Sequence, residues 1–122
     1  MRISFVHTKG GVGKTTNTIM LATAAARRGI DVEVLDADPQ GSATRWAEVA
    51  SMREDKLEFS VRSVDARRLQ RFPASDGWQI VDTPPGTADE IQAAIDTADL
   101  IIVPTHAAPL DIDRVWPTLE TV

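Results

Sequence analysis

The feature that most constrains this chain is the run Lys9-Gly10-Gly11-Val12-Gly13-Lys14-Thr15-Thr16, set between the apolar stretch Ile3 to Val6 and a segment at helical spacing from about Lys14 to Arg28. A glycine-rich turn joining a strand to a helix builds a concave nest. The glycines let backbone N–H groups turn inward without a Cβ clash, and the helix N-terminus adds partial positive charge. Phosphate is the anion that fits such a nest. Lys14 is expected to reach β- and γ-phosphates, Thr15 to place its hydroxyl on Mg2+, and Thr16 to bond an α-phosphate oxygen. A glycine-rich connector without a ligand is the competing reading, and Gly-Lys-Thr at the mouth of a helix argues against it.

The rest of the chain repeats the alternation of short apolar runs with helical stretches. Strands are expected at Ile3 to Val6, Val32 to Leu35, Leu57 to Val61, Trp78 to Val81 and Leu100 to Val103. The third reads as more exposed. The fifth, nearly all apolar, reads as central. Gly29 is placed to end the first helix in a left-handed conformation. Gly41 and Ser42 open a second helix, and Leu69 and Phe72 share a face of a short one closed by Pro73. Thr87 with Glu90 matches a capping box, after which Ile91, Ala94, Ile95 and Ala98 form one apolar stripe. This pattern implies an α/β fold with a mostly parallel sheet covered by helices on both faces. From Pro109 onward the sequence reads as a loop and the start of a helix, so a C-terminal truncation is expected.

Acidic residues fall at two of the strand ends. Asp36-Ala37-Asp38-Pro39-Gln40-Gly41 follows the second strand. Carboxylates there point into the crevice where α/β folds bind ligands. Residues two apart share a face while the strand persists, so one of Asp36 and Asp38 could serve a magnesium shell while the other orients a water. Asp82 ends the fourth strand and is suited to hold Mg2+ through a coordinated water. Thr83-Pro84-Pro85-Gly86 follows it as a loop able to sense a γ-phosphate.

An ordinary phosphate loop would carry glycine at position 8, where this chain has Thr8. With Lys9 at its start, the loop resembles the deviant Walker A motif, K-G-G-x-G-K-S/T, of the ParA/MinD superfamily of P-loop ATPases. Asp36 to Gly41 resembles the second signature of ParA-type members, and Ile80 to Gly86 their Walker B region. Ala98 to Pro104 and Pro109-Leu110-Asp111 extend the likeness, which runs from Ile3 to about Asp113 and is weakest between Met52 and Gln79.

The resemblance implies a P-loop NTPase-like fold and an ATPase that binds ATP and Mg2+ and dimerises around the nucleotide. By it, Lys9 reaches the partner subunit's nucleotide, in the manner of an arginine finger worth about 10³–10⁵ in rate. Asp38 polarises the attacking water and Asp36 serves the magnesium shell. Use in partitioning plasmid, phage or chromosomal DNA is implied, with a centromere-binding, ParB-like partner protein. A nucleotide-binding module with little catalysis and a positioner of protein cargo remain alternatives. Relatives are longer, and their later segments supply base contacts and much of the non-specific DNA-binding surface.

The 122 residues fit one compact domain, and 43% hydrophobic with 25% charged residues is ordinary for a soluble protein. The absence of cysteine fits a reducing, cytoplasmic setting and excludes disulfides and iron–sulfur ligation, and with them the nitrogenase iron protein. No apolar run approaches the roughly 20 residues needed to span a bilayer. No amphipathic membrane-binding helix of the MinD kind is visible. The net charge of −5 weighs against strong nucleic-acid binding by this chain alone. A packing or supporting role is expected for His7, with a catalytic one as the alternative, core or surface packing for His106, Trp46, Trp78 and Trp116, and a solvated face for Arg67, Arg68 and Arg71, with a DNA or partner patch as the alternative.

Overall fold

The computed structural model describes residues 1–7, 9, 13–86, 88–107, 109–113 and 115–122, with backbone alone at 88–90, 109 and 111. Gly10, Gly11 and Val12 of the expected phosphate loop and the Thr87–Glu90 capping box therefore lie outside what is described.

Five strands form one sheet: β1 (Arg2–Phe5), β2 (Val32–Asp36), β3 (Ser60–Ser63), β4 (Trp78–Asp82) and β5 (Leu100–Ile102). Every pairing is parallel and the order is β3-β2-β4-β1-β5. Helices α1 (Lys14–Arg27), α2 (Ser42–Met52), α3 (Ala88–Asp96), α4 (Pro109–Asp113) and α5 (Val115–Thr121) connect or follow them, with a 3-10 helix at Ala66–Arg71. Among the described residues no helix is long and apolar enough to cross a membrane.

Strand alternation assigns the two faces. Phe5, Val34 and Ile80 point to one side, where Ile19, Ala22 and Ala25 of α1 and Ala43 of α2 cover them. Leu35 and Val81 point to the other, against Leu69 and Ala94. Val6 packs there too, with Ile91 and Ile95 of α3. Helices thus cover both faces, and a fully buried residue such as Ile80 contributes about 1.5–3 kcal/mol by burial alone. Gly29 has φ +80°, as its position predicts. Ala98 falls beyond the end of α3 and is only half-buried, so the apolar stripe closes at Ile95.

Two expectations need correction. β5 is an edge strand, paired only with β1 among the described strands, and Leu100 is 48% exposed. Its apolar character has a different cause: Ile102 packs toward α1 while Ile101 and Val103 pack toward α3. A strand's hydrophobicity reports coverage of its faces, not pairing along its edges. β3 begins at Ser60, later than the Leu57 start expected. Leu57, Phe59 and Val61 all pack on the same core, but the ladder starts only where Ser60 meets Glu33. β3 is exposed, as its sequence suggests.

The sheet also has a polar layer. Arg2, only 7% exposed, donates from Nε and a terminal nitrogen to Gln79 Oε1 (3.1 and 2.8 Å) and from its terminal nitrogens to the carbonyls of Leu69 (3.0 Å) and Phe72 (3.1 Å). Gln79 Nε2 donates onward to Glu33 and Pro73, both at 2.9 Å. One guanidinium thus ties β1 to β4 and to the end of the 3-10 helix.

Candidate functional site

The three motif-bearing strands, separated in sequence, are neighbours in the sheet. Asp36 is in register with Asp82, and Asp82 with Phe5, so β2, β4 and β1 end side by side. Of the connections, α1 leaves β1 on one face and α3 leaves β4 on the other. That divergence opens a crevice at the carboxyl ends of the strands, where open α/β sheets bind ligands.

The floor of the crevice is the start of α1. Gly13 is its N-cap at φ +87°, a conformation that strains any residue with a Cβ, and an added Cβ would lie 3.1 Å from Asn17 Nδ2. Among the described residues no side chain caps this helix, and no acid lies in its first turn. Among the described residues, the N–H groups of the first turn are therefore open to an outside acceptor. Thr16 is exposed in that turn. Lys14 is buried, its ammonium folded back to the carbonyls of Lys9 (3.2 Å) and His7 (3.5 Å). Burial lowers its pKa, and the charges of Asp82 and Asp38 partly restore it. His7 is buried and its Nδ1 accepts the Lys9 N–H at 2.9 Å, so the ring supports the loop. Lys9 itself is half-buried.

Asp82 is the wall. Its Oδ2 accepts the Thr15 hydroxyl at 2.6 Å, and its buried Oδ1 has no hydrogen-bond partner among the described residues. Burial is the main reason its pKa is raised to about 6. Asp36 and Asp38 push the same way, while the Thr15 bond and Lys14 oppose. A buried carboxylate oxygen with no hydrogen-bond partner among the described residues, next to a threonine hydroxyl, fits a divalent cation. Among the described residues no three His, Cys, Asp or Glu side chains form a metal cage. Mg2+ suits that shortage, since it keeps several waters and takes one or two carboxylates beside phosphate oxygens. Thr83 next along donates to the Phe5 carbonyl at 2.6 Å and locks the end of β4 to β1.

Asp36 is buried and faces its own segment. Oδ2 accepts the backbone N–H (2.9 Å) and hydroxyl (2.6 Å) of Thr44, and Oδ1 accepts the Asp38 N–H at 3.2 Å. Asp38 is half-buried, accepts the Gln40 N–H at 2.9 Å, and lines a cleft of about 500 Å3 with Pro39, Val64, Arg67 and Pro84. Lys14, Thr15, Asp36, Asp38 and Asp82 thus converge on one crevice end.

Thr44 and the Arg2–Gln79 pair were not singled out by sequence, and Thr83, expected only as the start of the loop after Asp82, also locks β4 to β1. Thr44 lies just beyond the Asp-Pro-Gln-Gly turn, and no spacing rule marks a threonine there. A second cleft, about 570 Å3, lies at the other end of the strands around Glu33, Arg62, Phe72 and Gln79 and carries none of the motifs. His106 and Trp116 are exposed, Trp46 is 40% exposed and Trp78 packs against the core. Arg67, Arg68 and Arg71 are exposed.

Comparison with known proteins agrees with this geometry. Residues 3–121 match the model of the CobQ/CobB/MinD/ParA nucleotide-binding domain. The maintenance of carboxysome distribution protein A of Gloeobacter kilaueensis is 38% identical over 114 residues, covering 90% of this chain and 51% of that protein. Protein ParA of Rhizobium radiobacter is 31% identical over 105 residues, covering 84% of this chain and 47% of its own length. The chain therefore spans about half the length of these relatives. The septum site-determining protein MinD of Pyrococcus horikoshii, solved with Mg-ADP, superposes with a TM-score of 0.75 at 20% identity, covering 98% of this chain and 64% of that one. With a family match over nearly all its length, the chain belongs to the CobQ/CobB/MinD/ParA family of nucleotide-binding domains.

Proposed function

We propose that residues 1–122 form one ATPase domain acting as a ParA-like, ATP-dependent dimerisation switch in the cytoplasm. The observation that carries this reading is the Thr15–Asp82 contact beside the start of α1, which no described side chain caps, with Asp82 Oδ1 buried and without a hydrogen-bond partner among the described residues. Lys14 and the loop from Gly10 to Gly13 bind the phosphates, with Thr16 on the α-phosphate. Thr15 and Asp82 hold Mg2+, with Asp36 serving its outer shell. Bound Mg2+ neutralises charge on the transferring phosphoryl group. Asp38 orients the attacking water, and Lys9 reaches the nucleotide of a second copy.

The use of the switch follows the relatives. Likeness to ParA supports partitioning of plasmid, phage or chromosomal DNA with a ParB-like partner. Likeness to the carboxysome distribution protein favours a second reading, positioning of a protein cargo. The net charge of −5 leaves non-specific DNA contact by this chain weak under either.

Phosphate release from ATP, measured with and without Mg2+, tests the catalytic part. The wild-type protein should hydrolyse ATP only with Mg2+, and Asp38→Ala should bind ATP yet lose turnover. Equal rates for Asp38→Ala and wild type would sink the assignment.

A further inference from the structure

Gly41 occupies the N-cap position of α2 at φ +67° and has no side chain to cap it. The missing acceptor comes from eight residues before Thr44. Asp36 Oδ2 takes the Thr44 backbone N–H at 2.9 Å and its hydroxyl at 2.6 Å. A carboxylate there satisfies one of the orphan N–H groups of the first turn and lies at the favourable end of the helix dipole. The other oxygen of the same carboxylate takes the Asp38 N–H at 3.2 Å. Within the loop so closed, the Gly41 N–H bonds the Asp38 carbonyl and the Gln40 N–H bonds Asp38 Oδ1, both at 2.9 Å. Asp36 is fixed from behind as well. Its carbonyl accepts the Val64 N–H at 2.9 Å, and the next N–H, that of Ala37, bonds the Asp82 carbonyl at 2.9 Å.

We infer that Thr44 is a positioning residue for Asp38, an inference that rests on the hydrolytic reading above. The Thr44 hydroxyl holds the Asp36 carboxylate in the one orientation that also bonds the Asp38 N–H. The turn carrying Asp38 is thereby held at a set distance from the end of β4. A carboxylate offers about four acceptor positions. Three are used among the described residues, so the latch also decides which lone pair of Asp36 is left to face the crevice. Without the hydroxyl, Asp36 keeps the backbone bond to Thr44 but is free to rotate, and Asp38 loses its alignment. Misplacing a reacting group by an ångström costs on the order of 100-fold in rate.

Thr44→Val removes the hydroxyl while keeping shape and the backbone N–H. With ATP·Mg2+ as probe, its Kd should stay within about threefold of wild type while kcat falls about 10- to 100-fold. Thr44→Ser should restore kcat. A Thr44→Val kcat equal to wild type overturns the inference, as does a loss that serine does not restore. If the wild-type protein releases no phosphate at all, it is the hydrolytic reading that fails, and amide hydrogen exchange then decides the latch. Faster exchange at Asp38 and Gln40 in Thr44→Val, with Ile80 and Val81 unchanged, upholds it, and unchanged exchange at Asp38 overturns it.

Discussion

The hydroxyl of Thr15 donates to Asp82 Oδ2 at 2.6 Å, joining the first turn of α1 directly to the end of β4. A hydroxyl has one proton and two lone pairs. Thr15 can keep this donation and still present a lone pair to a cation in the crevice, so the contact is compatible with metal binding without rearrangement. It also couples the phosphate loop to the strand whose end leads into Thr83-Pro84-Pro85-Gly86. A change at the nucleotide therefore has a short mechanical route to that loop.

Asp82 should leave a pH signature. Its folded pKa of about 6 lies above the unfolded value of 3.8, so the native state holds the proton more tightly. The contribution to stability is present below about pH 4 and is lost as pH rises through about 6, amounting to about 3 kcal/mol at most. Asp82→Asn removes this loss and can still accept the Thr15 hydroxyl. In urea unfolding without metal or nucleotide, the variant's advantage over wild type should grow from pH 4.5 to about pH 7 and then level off. An advantage that stays constant with pH would contradict the assignment. Mg2+ with nucleotide should erase it, because the cation stabilises the ionised carboxylate.

Gly77 lies against the start of β2, where an added Cβ would meet the Asp31 carbonyl oxygen at 2.3 Å. The Asp31 carbonyl also accepts the Trp78 N–H at 2.8 Å, so the backbone cannot withdraw without losing that bond. Gly77→Ala should cost about 1–3 kcal/mol in denaturant unfolding, the usual range for overpacking. Alanine at wild-type stability would mean that the two segments separate freely.

Arg2 is a geometric requirement more than a charge. Its planar fork serves Gln79 and the carbonyls of Leu69 and Phe72 at once. Lysine has three donors on one atom and cannot span them. Arg2→Lys should therefore lose about 2–4 kcal/mol by leaving buried acceptors unpaired. Stability equal to wild type would show that water replaces the fork.

What was legible in the sequence follows from how local each signal is. Lys14, Thr15 and Asp82 could be placed in one crevice because glycine punctuation and strand ends carry that information within a few residues. The arrangement of β1, β2 and β4 as neighbours needed the fold, since nothing local says that the fourth strand inserts between the first two. β5 was misplaced for the same reason: apolar faces on Ile101, Ile102 and Val103 record the helices above and below, and edge pairing leaves no trace in composition. The bonds of Asp36 to Thr44 were invisible because a carboxylate at a strand end looks alike whether it faces a metal or the next helix. Arg2, charged and at the second position, gave no hint of burial.

The most direct test of the switch is the mass in solution of Asp38→Ala, by light scattering, with and without ATP·Mg2+. This variant should hold ATP without hydrolysing it. The account predicts a monomer alone and a dimer with ATP·Mg2+, and the dimer should be lost when Lys9→Ala is added to the same chain. A folded protein that stays monomeric at saturating ATP would contradict it.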